Sequence, residues 1–211
     1  VSWSSAAEPG AIPSGFDAAS TNDSGVVDLA ETPGFIVDCL PLGDANIIYK
    51  SDARYSMTYI GGNDVFRFQR LPGNDGLLAR ECVCDTPIGH VFVTQNADVM
   101  IHQGGEARSI ADGRISKWLR ANLDFSYKSL SYICAVNEKS EVWFAFPLLN
   151  EPIASDHFPY NFVVWNWKSD TWSTFSFASG STSYPIRFAR TGLGPPGTFG
   201  TQSRLIAAAY F

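Results

Sequence analysis

Four cysteines, three histidines and two methionines in 211 residues leave little from which to build a metal centre or a redox site. Cys39, Cys82, Cys84 and Cys134 are scattered, and Cys82 and Cys84 have one residue between them where a zinc knuckle places about two to four. Residues two apart on a strand share a face, so this pair sets two thiols side by side. His90, His102 and His157 are not clustered to complete a ligand set. The cysteines therefore read as buried free thiols, and no metal or cofactor is expected. No apolar run approaches the ~18 residues of a membrane-spanning helix, and no charged start followed by an apolar stretch marks a signal peptide. The chain reads as a soluble protein. Basic residues are in deficit, 15 against 21 acidic for a net charge of −6, which argues against broad clamping onto nucleic-acid phosphates or anionic lipid. The sequence begins at Val1 without an initiator methionine, so it is expected to be processed or to be an excerpt of something longer.

Catalytic signatures are lacking as well. No G-x-S-x-G elbow or comparable nucleophile motif is present. Gly61-Gly62-Asn63-Asp64 and the stretch from Gly192 to Gly200 have neither the strand-glycine-helix context nor the terminal Lys-Ser/Thr of a phosphate loop. The first reads as a turn in which Gly and Asn permit left-handed backbone angles. The second, with Pro195-Pro196, reads as a mobile or interface loop, expected to contact a neighbouring subunit or another segment of the ring. His102 and Asp98 are the best local pair for proton transfer, but four residues along a strand separate them by about 13 Å, too far to hydrogen-bond. His102 is expected at a surface or blade edge. Nothing marks Asp38, Asp64, Glu106 or Asp156 as a glycosidase-type carboxylate. No catalytic residue is assigned, and the protein is expected not to be an enzyme.

What is present is aromatic and β-branched. Hydrophobic residues make up 45% and aromatic residues 14%, enough to bury one sizeable core or a small set of repeated modules. Short apolar runs separated by polar turns predict an all-β protein. The first group of strands is Phe35 to Leu40, Ala45 to Tyr49, Tyr55 to Ile60 and Val65 to Leu71. In the last, Phe66 and Phe68 share a face and Arg67 and Gln69 the other, the period of a half-buried strand. A second group runs Glu81 to Cys84, His90 to Thr94, Asp98 to His102 and Ala107 to Ile110. A third runs Leu130 to Val136, Glu141 to Phe146, Asn161 to Trp167 and Thr171 to Phe177. Pro185 to Arg190 and Leu205 to Phe211 add two strands of an incomplete blade.

The fold class predicted is a β-propeller-like series of four-stranded antiparallel blades, about three full ones plus partial ones. One short helix, Asp112 to Leu123, is inserted, with Asp112 as its N-cap. Residues 1–16 form a strand and turn segment of a preceding partial blade, 17–33 a connector rich in small polar residues, and 34–211 the blades. The repeat is marked by turns. Tyr49-Lys50-Ser51-Asp52 then Tyr55-Ser56 matches Trp167-Lys168-Ser169-Asp170 then Trp172-Ser173, with Gln95-Asn96-Ala97-Asp98 between them. From Ser51 to Asn96 is 45 residues, the length of a propeller blade, and from Asn96 to Ser169 is 73, read as a blade plus an insertion. Three and a half blades do not surround an axis, so further residues or a second chain are expected to complete the ring.

The order of these motifs resembles the propeller segment of bacteriophage tail nozzle or tail hub proteins of the tail tubular protein B type. The resemblance runs from Trp3-Ser4-Ser5 with Pro9 and Pro13, through Phe35 to Leu77, Arg80 to Cys84 and His90 to Asp98. It continues through Ile110-Ala111-Asp112-Gly113-Arg114-Ile115 to Val163, Trp165-Asn166-Trp167, Thr171 and Trp172. Members of that family are usually much longer, with non-propeller domains forming a tube wall. The resemblance implies a virion structural protein: a homo-oligomeric ring, commonly a hexamer, below portal and adaptor proteins. Tail fibres or spikes dock on its outer faces, and double-stranded DNA leaves through the lumen without specific binding. A net charge of −6 is compatible with such sliding. The alternative is a carbohydrate-binding or glycan-active propeller module using Trp143, Trp165, Trp167 and Trp172. Packing between blades is the competing use of those rings, and solvent-exposed Trp165 and Trp167 would favour the carbohydrate reading.

Overall fold

The computed structural model describes residues 1–13, 15–16, 23–111, 113–149 and 161–176, with the side chains of Asn63 and Ser176 aside, and the backbone alone of four later strands. The expectations for Asp112, Asp156, His157 and the loop 194–200 lie outside the described residues.

Strands β1 (Ser2–Trp3) and β2 (Gly25–Val26) pair antiparallel. The first four-stranded sheet follows as β3 (Ile36–Leu42), β4 (Ala45–Lys50), β5 (Arg54–Tyr59) and β6 (Phe66–Arg70). The second is β7 (Val83–Thr86), β8 (Gly89–Val93), β9 (Val99–His102) and β10 (Arg108–Ser109). After helix α1 (Gly113–Asn122) comes the third, β11 (Tyr132–Val136), β12 (Glu141–Phe146), β13 (Asn161–Asn166) and β14 (Thr171–Ser176). Each sheet is a meander whose neighbours in sequence are neighbours in space, all antiparallel. Backbone is also described for β15 (Ala178–Ser179) paired with β16 (Thr182–Ser183), and β17 (Ile186–Leu193) paired with β18 (Ser203–Ala209). The all-β, blade-like architecture read from the sequence is the architecture observed.

The three sheets stack face to face around one core. The middle sheet is covered on both sides, so β8 and β9 are buried at every position and read as continuous apolar runs. In the outer sheets alternate residues serve different clusters. Ile47 and Tyr49 of β4 join the main core, whereas Ile48, with Ala53 and Tyr55, packs under Leu29. In the third sheet Val142, Phe144 and Phe146 face the core, and Ala145, Phe162 and Val164 lie on the opposite side with Tyr132. The first strands of the sheets lie side by side, β7 between β3 and β11. This is how propeller blades meet at their inner edge.

Successive sheets are joined by a crossing segment that inserts a leucine. Leu29, Leu77 and Leu123 are buried ahead of the first, second and third sheets, at intervals of 48 and 46 residues. Leu77 bridges to Thr94 and Leu123 to Leu148, at the corresponding end of each sheet's second strand. Gly76 fits because a Cβ there would collide with the backbone of Ser51 and Asp52. These intervals correct the turn-based spacing. Lys50–Ala53 and Gln95–Asp98 both join second to third strands, but Trp167–Asp170 joins third to fourth. The Lys-Ser-Asp match is shared hairpin chemistry, not a shared position. Ala97, Ser140 and Asp170 each take the left-handed conformation at φ 54°, 59° and 50°, closing three such hairpins.

Two further expectations change. Helix α1 forms as the periodicity predicts, with Leu119 buried, but a 3-10 segment, Phe125–Leu130, follows it as two turns broken by a kink at Tyr127 (φ −114°, ψ 21°). Asp124 caps that segment by accepting from Ser126 N at 2.9 Å. The segment ahead of the first sheet also does more than connect. Val27 N donates to Val1 O, and Lys50 Nζ donates to the carbonyls of Leu29 and Thr32, both at 2.7 Å. No helix among the described residues is long and apolar enough to cross a membrane.

Candidate functional site

The inner strands meet at a small cleft of about 230 Å³, lined by residues of all three sheets including Asp38, Glu81, Cys84 and Tyr132. Asp38 knits it together, accepting from Cys39 N at 2.9 Å and from Glu81 N at 3.0 Å. The carbonyl of Glu81 in turn accepts from Ile133 N, so three blades are tied through one residue held at φ 64°. Asp38 and Glu81 give this cleft an acidic character, and its described lining contains no lysine, arginine or histidine. Such a surface offers phosphate no attraction.

A buried polar cluster lies between the first and second sheets. Tyr49 and His90 approach at 3.0 Å, and His90 Nε2 lies 2.8 Å from the Pro41 carbonyl. A carbonyl only accepts, so Nε2 carries the proton and Nδ1 accepts from the Tyr49 hydroxyl; the neutral ring is fully satisfied. Burial accordingly holds the His90 pKa down and pushes the Tyr49 phenol far up. His102 is the cross-strand partner of His90, with ring centroids 6.5 Å apart. Both its ring nitrogens are buried without a well-formed hydrogen bond, and burial, then Arg54 and His90, depress its pKa to about 4 against a weaker opposing pull from the Gly105 backbone. Arg54 is 1% exposed, lies 5.4 Å over the Phe92 ring and donates from Nη2 to Pro72 O at 2.8 Å. Its Asp75 partner is distant at 3.8 Å, and Nε and Nη1 are buried without partners.

His102 is thus the reverse of the expected surface histidine: it is fully buried. Strand alternation places it on the face shared with His90, and the first sheet covers that face. Asp98 does not serve it. The Asp98 carboxylate accepts from Ser109 Oγ at 2.9 Å and from Ser116 Oγ at 2.7 Å, fastening α1 to the second sheet.

The tryptophans are used for packing. Trp165 is 5% exposed, stacks on its cross-strand partner Trp172 at 6.1 Å, and donates from Nε1 to Asp170 at 3.0 Å. Trp167 and Trp172 pack partly buried against the main core. Trp143 contacts Phe162 and Phe175 edge-on and donates to Glu141. Trp165 is therefore no stacking platform. Cys82, Cys84 and Cys134 are buried thiols, with burial raising all three and holding Cys134 at about 12. Cys39 is exposed, contrary to expectation, because it falls on the uncovered side of β3.

A larger cleft lies elsewhere, between the N-terminal segment and the outer edge of the first sheet. It measures about 540 Å³ and is lined by Trp3, Tyr59 and Phe66 with Glu8, Asp23 and the Gly61-Gly62 turn. Trp3 lies flat over Gly25, where a Cβ would strike its ring, and donates from Nε1 to Asp23 O at 2.7 Å. It meets Phe66 edge-to-face at 5.3 Å and Phe68 at 5.9 Å. Tyr59, at the end of β5, remains 68% exposed. Sequence reasoning missed this site because an aromatic residue ending a strand carries no sign of which side is covered. The one available signal was Trp3, isolated in an otherwise small-residue segment.

The fold and these surfaces define a blade-stack protein of the β-propeller kind. No family model matches the chain, and no curated protein matches it.

Proposed function

We propose that this chain is a structural segment of a phage tail conduit, a nozzle or hub that assembles as a ring and passes DNA without binding it. The observation that carries the reading is the placement of the ordered motif string on the blade stack. The Tyr49-Lys50 turn, the Phe66/Phe68 strand and the Trp165–Trp172 hairpin each occupy a hairpin or edge of a four-stranded blade. Two physical features favour it. A middle blade buried on both faces between two others, with leucines at the crossings, makes a stiff wall. The acidic inner cleft and the net charge of −6 provide no general phosphate affinity. On this reading the chain contacts further copies of itself, portal or adaptor proteins, and fibres or spikes, and is not an enzyme.

The test is peptide mass spectrometry on purified particles of the phage whose genome encodes the chain. Peptides present at a copy number matching a ring support the proposal. Their absence from intact particles, with the protein found free in the lysate, overturns it.

A further inference from the structure

We propose that the cleft between the N-terminal segment and the outer edge of the first sheet is a binding site for a neutral oligosaccharide. The inference stands apart from the tail reading and does not depend on it. At about 540 Å³ the cleft falls within the size range of small-ligand sites. Its chemistry has two halves. The rings of Trp3, Tyr59 and Phe66 form an aromatic wall, and Tyr59 keeps 68% of its surface exposed although its contact with Phe66 at 5.8 Å fixes its tilt. Glu8 and Asp23 also line it, two residues whose carboxylates can serve as acceptors.

A pyranose presents this same pair of surfaces, a face of C–H groups and an edge of hydroxyl donors. Aromatic rings pack on the first, and carboxylates accept from the second. A second feature narrows the class. The described lining contains no lysine, arginine or histidine, and Arg67 lines only the adjoining cleft that shares Trp3 and Phe66, so phosphorylated, sulfated and sialylated sugars meet the two acidic residues here without a cation among the lining residues. The Gly61-Gly62 turn keeps the opposite side low: both residues have positive φ, 70° and 71°, and beside Gly62 there is open space where a side chain would stand. The occupant is therefore an uncharged glycan chain, stacked on Tyr59 and held at its hydroxyls by Glu8 and Asp23.

The experiment is isothermal titration of the whole chain with cellohexaose, chitohexaose, laminarihexaose and maltohexaose to 10 mM, beside a heparin-derived hexasaccharide. Binding of at least one neutral hexasaccharide and none of the sulfated one is expected. Tyr59→Ala, at an exposed position, should weaken that binding about tenfold, and Glu8→Gln about threefold to tenfold, with thermal unfolding unchanged. Trp3→Phe, which keeps a ring over Gly25, tests the wall without removing it and should weaken binding less than Tyr59→Ala. No heat with any neutral hexasaccharide overturns the proposal. So does binding that Tyr59→Ala leaves intact, or tighter binding of the sulfated chain, as does occupancy of the cleft by a protein segment in the assembled particle.

Discussion

His102 makes folding stability depend on pH in a direction that the structure fixes. In the unfolded chain its imidazole titrates near 6.5; in the fold, burial first, then Arg54 and His90, outweigh the opposing pull of the Gly105 backbone, and it resists protonation down to about 4. As the pH falls, the unfolded state therefore takes up this proton first. Stability is fully present above pH 6.5 and is lost progressively as the pH drops toward 4. At 1.36 kcal/mol per pH unit, the loss over that window comes to about 3 kcal/mol. His90, whose pKa is also lowered, adds to it in the same direction. The charged groups around the pair are Arg54, Asp75, Asp85 and Glu106, and the acids contribute the opposite bias only where they are still ionised. The assay is urea unfolding at half-unit steps from pH 7.5 to 4.5, for the wild type and His102→Leu. With a urea slope of about 2 kcal/mol/M, the wild-type midpoint should fall by about 1.3 M across the two units from pH 6.5 to 4.5. The variant removes the titrating group, so it should lose markedly less between pH 7.5 and 4.5. A variant that keeps the full wild-type loss, or a His102 resonance titrating near 6.5 in the folded protein, would refute the argument.

The other predictions concern packing and thiol access. Leu77→Ala and Leu123→Ala, at 0% and 1% exposure in the inter-blade crossings, should each cost about 2–5 kcal/mol in chemical denaturation. A cost under 1 kcal/mol would mean that the crossings do not carry the stack. Gly76→Ala should destabilise by about 3 kcal/mol or prevent folding, because its Cβ has only backbone to meet; circular dichroism melting reads this directly. With a thiol reagent at pH 8 the native protein should expose one fast-reacting cysteine, Cys39, with Cys82, Cys84 and Cys134 reacting only on unfolding. Fast reaction of two or more thiols would show that the inner strands open.

Much of the blade architecture was legible in the sequence because it rests on local signals. Period-two alternation marked β6, continuous apolar residues marked β8, and polar turns separated them. All twelve strands of the three meanders fall within a few residues of their expected places. The repeat register was less legible, since Lys-Ser-Asp suits any four-residue hairpin and recurs at two different corners. The leucines at 29, 77 and 123 carry the register instead, but a leucine ahead of a strand looks like any other until the partners of Leu77 and Leu123, Thr94 and Leu148, are known. The sites were hardest to read. Strand alternation paired His102 with Asp98 and left His90 apart; it could not show that the two histidines meet across β8 and β9 or that the first sheet lies over them. Trp165 and Tyr59 show the same limit: both are strand aromatics, and only the position of the neighbouring sheet leaves one 5% and the other 68% exposed.

The conduit proposal is tested most directly by electron cryomicroscopy of intact phage particles with the chain located in the density. A closed symmetric ring of copies on the tail axis, each showing three four-stranded blades with the acidic inner cleft intact, is what the account predicts. Density off the axis, as single copies or on fibres alone, or no density for the chain at all, would contradict it.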